Sequence, residues 1–205
     1  MSDHTHPGPL SPWLAGLPVT AQDALKRLLR IVRLGKNARV LELGCADGEV
    51  SFLIARDFGC LVVAADEEDQ ATPSLSEKLK AHGLSNRVEF RKIDRSKMPF
   101  AEGSFDLIVL CRSLLFPLPR AAAVLRPLLA AQGRLVIGHR TRVGRPLDAE
   151  TGRGVPAPQQ LLHLLATEGF EPEGLETFGE DAGISCALLI GRRREPSEPP
   201  STLRR

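Results

Sequence analysis

Residues 39–48 read Arg-Val-Leu-Glu-Leu-Gly-Cys-Ala-Asp-Gly, and the fold turns on how that stretch is parsed. Three apolar residues interleaved with Glu42 make a short strand. The strand runs into Gly44-x-Ala46-x-Gly48, and a helical pattern follows at once. Small residues at every second position let the backbone turn sharply and come close to a ligand. A dinucleotide loop needs Gly-x-Gly-x-x-Gly, whose third glycine packs the helix against the strand. Here the position five after Gly44 is Glu49, so the spacing is wrong for a pyrophosphate. It suits a ligand carrying an ammonium group and a nucleoside, and the acidic Glu42 agrees with a ligand that is not purely anionic. Ala46 stands at the loop's middle position, and its methyl group is expected to fit at negative φ.

Outward from that loop the chain alternates. Strands are predicted at 39–43, 61–65, 88–92, 106–110 and 134–138, with helices at 48–57, 73–82 and 119–130 between them. Thr20 caps an earlier helix with Leu25, Leu28, Leu29 and Val32 along one face. Alternating strands and helices imply right-handed crossovers and a parallel sheet, and the Val, Leu and Ile content suits strands covered on both faces. After the fifth strand a helix is predicted over 157–168. Two strands follow at 171–178 and 184–191, joined by the hairpin-length stretch Gly179-Glu180-Asp181-Ala182-Gly183. The expected fold is therefore α/β, Rossmann-like and doubly wound. Its seven-stranded sheet is mostly parallel with a terminal antiparallel strand, and helices lie on both faces. Residues 1–19, with four prolines, read as a flexible arm. Residues 20–191 form the domain, and 192–205 read as a disordered basic and Pro-rich tail.

Bulk composition bounds the function. A chain of 205 residues, 42% apolar and 25% charged, is ordinary for one soluble domain. No apolar run reaches the ~20 residues of a membrane span, and the N-terminus lacks a signal-peptide layout, so the expected location is cytoplasmic, without a membrane partner. Cys45, Cys60, Cys111 and Cys186 are scattered with no Cys-x-x-Cys pair, so no metal site is expected. A net charge of +2 does not by itself imply nucleic acid, and 4% aromatics without a single Tyr argue against a base-stacking platform.

In an open sheet of this kind ligands bind outside the carboxyl ends of the strands, near the switch in strand order. Strand one delivers Glu42, Gly44, Cys45, Ala46 and Gly48 there. Strand two ends at Asp66, 22 residues beyond Gly44, where a carboxylate can accept from both ribose hydroxyls. Strand three leads to Asp94, and strand four to Cys111-Arg112-Ser113. With the stretches Met98 to Asp106 and Leu125 to Ile137, residues 20–191 resemble the class I S-adenosylmethionine-dependent methyltransferases of the small, compact kind.

The resemblance implies S-adenosyl-L-methionine as cofactor. Gly44, Cys45, Ala46 and Gly48 would cradle its methionine part, with Glu42 near the amino group through water and Cys111 alongside. Asp66 would hold the ribose, Asp94 the adenine amino group, and the backbone of Arg95 the adenine ring. Glu67 stands where the family often has an apolar residue against adenine, so Met98 or Leu114 must supply that contact.

The acceptor side is less explicit. His139 follows strand five directly and is the candidate general base. Cys111 lacks the preceding proline of cytosine-C5 methyltransferases, and no Asn/Asp-Pro-Pro-aromatic motif follows strand four. Arg112, Arg140, Arg142 and Arg145 are expected to form a basic rim, which points to an anionic small-molecule acceptor. An RNA or protein acceptor is the alternative, favoured by the basic loop and tail. A third reading is a binding partner that keeps the fold without catalysis. The short arm leaves the site poorly covered, as it would be if a second chain supplied the lid.

Overall fold

The computed structural model describes residues 20–67, 73–94, 97–110, 118–142, 158–181 and 184–194. Its centre is β1 (Arg39–Leu43), in which every residue after Arg39 is buried. β1 pairs in parallel with β2 (Leu61–Asp66) on one side and with β4 (Phe105–Leu110) on the other. β3 (Val88–Lys92) extends the sheet beyond β2, and β5 (Leu129–Arg142) extends it beyond β4. β7 (Ile184–Arg193) lies antiparallel between β5 and β6 (Phe170–Asp181). The full order is β3-β2-β1-β4-β5-β7-β6. The antiparallel strand is last in sequence but not at the sheet's edge.

Strand residues alternate between two apolar layers. Val40, Val62, Val88, Leu107 and Val136 belong to a core shared with α1 (Thr20–Ile31), α2 (Glu49–Phe58) and α3 (Pro73–Ala81). Leu41, Ile108, Leu135 and Leu189 face the other way, toward α4 (Leu118–Leu125) and α5 (Pro158–Thr167). This is the doubly wound plan, with strands apolar on both faces. Helix α1 is held by Arg27 to Glu176 of β6 at 2.9 Å and by Lys26 to Asp57 of α2 at 3.2 Å. No helix among the described residues is long and apolar enough to cross a membrane.

Four boundaries depart from expectation. The helix expected over 119–130 stops at Leu125, becomes a 3-10 turn over Arg126–Leu128, and gives way to β5 at Leu129. Pro127 explains the stop, since it has no N–H for the helical ladder. β5 is 14 residues long, where 134–138 was expected. Among the described residues its pairing with β4 runs to Leu110–Ile137, while its pairing with β7 continues to Arg142–Ile184. The β6–β7 pairing runs to Asp181–Ile184, which shortens the expected five-residue connection to Ala182 and Gly183. Finally, β7 takes in Arg192 and Arg193, expected to begin the tail. Arg192 pairs with Glu171 and Gln132, and Arg134 meets Glu173 at 2.7 Å. Strand pairing and these ion pairs outweigh the polar composition of the segment.

A cavity of about 490 Å³ opens among Arg39, Leu61, Arg87, Arg91, Phe100 and Phe105. Arg39, Leu61 and Phe105 begin their strands, so this hollow lies at the amino end of the parallel sheet, away from the loop at residues 44–48.

Candidate active site

β1 hands the chain to its loop at Leu43. Gly44 and Cys45 both donate their N–H to the carbonyl of Ala65, at 2.8 and 3.4 Å, which folds the loop over the end of β2. The Gly48 N–H closes the turn onto the Cys45 carbonyl at 2.7 Å. Gly44 and Gly48 hold φ of 71° and 73°, the left-handed region open to glycine. A methyl group on Gly48 would also run into the Leu75 side chain of α3.

Ala46 corrects an expectation: its φ is 46°, not negative. The physical reason is the hydrogen bond it makes there. Its N–H donates to Asp66 Oδ2 at 3.2 Å, and reaching that acceptor turns the residue left-handed. The conformation costs about 1–2 kcal/mol in an L-residue.

Two acids converge beneath the loop. Asp66, at the end of β2, is only 6% exposed and accepts from Ala46 and, through Oδ1, from the Glu67 N–H at 2.8 Å. A carboxylate has roughly four acceptor positions, so its capacity exceeds these two bonds. Glu42 is 1% exposed, on the face of β1 that looks onto α2. It accepts from the hydroxyl of Ser51. Burial pushes its carboxyl up to about 8, Ser51 opposes this, and the negative charges of Asp47 and Asp66 add to it. The buried polar side chains among the described residues are Glu42, Ser51 and Asp66, all at this one place. Ser51 was not singled out in the sequence. The available signal was its position, third in the helix that follows the loop.

The other expected site residues divide. Glu67 is half-buried beside Asp66, and Asp94 is exposed where its carbonyl accepts the Lys97 N–H at 3.0 Å. Ile93 donates to the Asp66 carbonyl at 2.8 Å, which keeps Asp94 at the same sheet edge as Asp66. Met98 packs against the core on the α4–α5 face. His139, Arg140 and Arg142 lie in β5 beyond Ile137, in register with Ala187, Cys186 and Ile184. Arg95, Cys111, Arg112, Leu114 and Arg145 lie outside the described residues. Asp106 ties strands together, accepting the Arg39 N–H at 2.8 Å. No group of three metal-ligating side chains occurs among the described residues.

Comparison with known proteins places this geometry. A family model described as a methyltransferase domain matches residues 40–133, from β1 into β5. The chain is 28% identical over 171 residues to 27-O-demethylrifamycin SV methyltransferase of Amycolatopsis mediterranei, covering 75% of this chain and 61% of that one. Over those residues the chain is similar to S-adenosylmethionine-dependent methyltransferases.

The chain also shares its fold with solved structures. A geranyl diphosphate methyltransferase in complex with SAM superposes with a TM-score of 0.65 at 15% identity, covering 92% of this chain and 93% of that one. The cyclase SpnF superposes with a TM-score of 0.67 at 19% identity, covering 85% and 82%. At such identities the likeness is one of fold. The chain spans 30% of the length of an uncharacterized Haemophilus influenzae relative and 61% of the rifamycin enzyme, under two thirds of each. Its loop and acids suit the cofactor that the family implies: a close backbone turn, an acid with acceptor capacity to spare at Asp66, and a buried acid at Glu42.

Proposed function

We propose that this chain binds S-adenosyl-L-methionine over the 44–48 loop and methylates a small-molecule acceptor that carries an anionic group. The convergence of buried Glu42 and Asp66 under a left-handed loop, at the switch between β1 and β4, carries this reading. Such a switch point is where open α/β sheets hold their ligands. When bound, the cofactor supplies an electrophilic methyl group.

The chain's own residues bind and orient. Gly44, Cys45, Ala46 and Gly48 keep the backbone close enough to contact the methionine part. Asp66 is held rigid by two backbone N–H groups and accepts from the ribose hydroxyls. Asp94 and the backbone of Arg95 receive the adenine, with Glu67 beside it, and Cys111 flanks the methionine part. On the acceptor side, β5 carries His139, Arg140 and Arg142 past the end of β4, beside the expected entrance. His139 takes the acceptor's proton where one must leave. The arginines, with Arg112 and Arg145, orient the anionic group.

A small-molecule acceptor is supported by a relative whose name places its methyl transfer on a rifamycin. The cyclase neighbour supports a second reading, in which the fold serves a task other than methyl transfer. Calorimetric titration with S-adenosylmethionine and S-adenosylhomocysteine tests the first reading, with Asp66→Ala expected to weaken both ligands at least tenfold. Absence of binding by either ligand to the wild-type chain would overturn it. Once an acceptor is found, charge reversal at Arg142 and Arg145 should raise its KM several-fold with little change in kcat; an unchanged KM removes the anionic group. A steep fall in RNA binding with salt would instead favour a nucleic-acid acceptor.

A further inference from the structure

Glu42 has a second employment that its place at the end of β1 does not advertise. Gly48 is the N-cap of α2 and has no side chain with which to cap it. The hydroxyl of Ser51, in the first turn of that helix, donates to Oε2 of Glu42. A strand residue thus ties the first turn of the helix to the sheet through a side-chain hydroxyl. The groups facing Glu42 can be named element by element. α2 presents Ser51, β2 presents Ala64 in register and Asp66 at its end, β4 presents Val109 in register, and the loop presents Asp47. The charged ones are acids. Burial without a cationic partner disfavours a carboxylate, and two neighbouring carboxylates disfavour it further.

We propose that burial holds Glu42 as a neutral acid in the free protein, that Ser51 is the residue that positions it, and that uptake of the cofactor's ammonium group releases the Glu42 proton to solvent. The inference rests on the cofactor reading above. The balance is simple: the O–H bond of Glu42 breaks, the proton passes to the buffer, and a carboxylate–ammonium attraction replaces it, directly or through water. No electrons are transferred. Ser51 then serves both states, because its hydroxyl remains a donor to the carboxylate and keeps it aimed as the charge appears. An isolated carboxylate at this depth would lack that support.

Calorimetry of S-adenosylhomocysteine and S-adenosylmethionine binding at pH 6.5, in phosphate and in imidazole buffers of different ionisation enthalpy, reads the released proton directly. Close to one proton should be released per ligand bound, because the ligand's amino group is already an ammonium at that pH. The affinity should fall about tenfold for each pH unit between 7 and 6. Binding of 5′-methylthioadenosine, which lacks the amino-acid part, should release none. Ser51→Ala should weaken binding about ten- to hundredfold, the range of a hydrogen bond to a charged group. Ser51→Thr should restore it.

Tight binding without proton release would overturn the proposal and leave the cofactor reading standing. A cofactor-free arm separates the two. Carbon NMR of the Glu42 carboxyl, assigned by its loss in Glu42→Gln, should show titration well above the ordinary carboxylate range, moving higher still in Ser51→Ala. Titration in the ordinary range would overturn the proposal whether or not any ligand binds. If Glu42 titrates high but neither adenosyl ligand binds, the cofactor reading and the coupled release both fall, and only the Ser51 clamp survives.

Discussion

Ala46 and Gly48 share a left-handed backbone but differ in what that conformation costs. At Ala46, φ of 46° places a Cβ where L-residues are disfavoured. The strain is held by the bond from its N–H to Asp66. Ala46→Gly should therefore stabilise the free chain by about 1 kcal/mol, measured as a shift in urea midpoint. A loss of stability would show that the methyl group has packing value that outweighs the strain. Gly48→Ala should destabilise by about 1–2 kcal/mol from φ alone, with the crowded Leu75 side chain adding to it. At this scale the sequence was legible wherever a residue's position follows from spacing: Gly44, Gly48, Asp66 and Glu42 all sit at the loop and sheet edge that spacing assigned. The sign of φ at Ala46 was not, because it depends on an acceptor 20 residues away. Ser51 was invisible for a similar reason, since its partner lies on another element.

Among the elements, β5 shows most clearly what a local reading misses. Its apolar run Leu135-Val136-Ile137 marks where the strand is buried between β4 and β7. The polar residues that follow, His139 to Arg142, look like a loop by composition, yet they continue the strand because β7 still pairs with them. Among the described residues, that end of β5 pairs with β7 alone. Its amides should exchange with solvent sooner than those of 135–137, by tenfold or more in hydrogen-exchange mass spectrometry or NMR. Equal protection along the strand would mean that something else covers the free side. The same dependence on a distant partner explains β7, where Arg192 and Arg193 would be tail-like without β5, β6 and the acids of β6. Strand and helix identity was readable from period and β-branched content, whereas the ends of elements were set by tertiary pairing and, at Pro127, by a missing N–H.

For the whole molecule, the buried acid of β1 gives stability a characteristic pH dependence. Folding raises the Glu42 carboxyl from its ordinary 4.5 to about 8 through burial, against the pull of Ser51 and with the push of Asp47 and Asp66. The folded chain therefore keeps a proton that the unfolded chain loses above 4.5. Its contribution is full below that value and is lost as pH rises through about 8. Thermal midpoints of the free protein should accordingly fall between pH 5 and 8, and Glu42→Gln should flatten that slope. Asp57 acts in a separate window: its bonds to Arg56 and Lys26 lower it, so its contribution is lost only as pH falls below the usual carboxylate range. An unchanged slope in the Gln variant would move the effect elsewhere.

The strand order also has a consequence for synthesis. β6 is made before β7 but touches the sheet only through it, and β5 has an open edge until β7 arrives. A nascent chain that has reached Asp181 therefore holds five pairable strands with an unsealed edge and a sixth with no strand to pair with. Sheet edges of that kind recruit other chains. The insertion of the seventh strand closes the sheet in one move, so a ribosome stalled just before it should leave a product that aggregates rather than a shorter working protein.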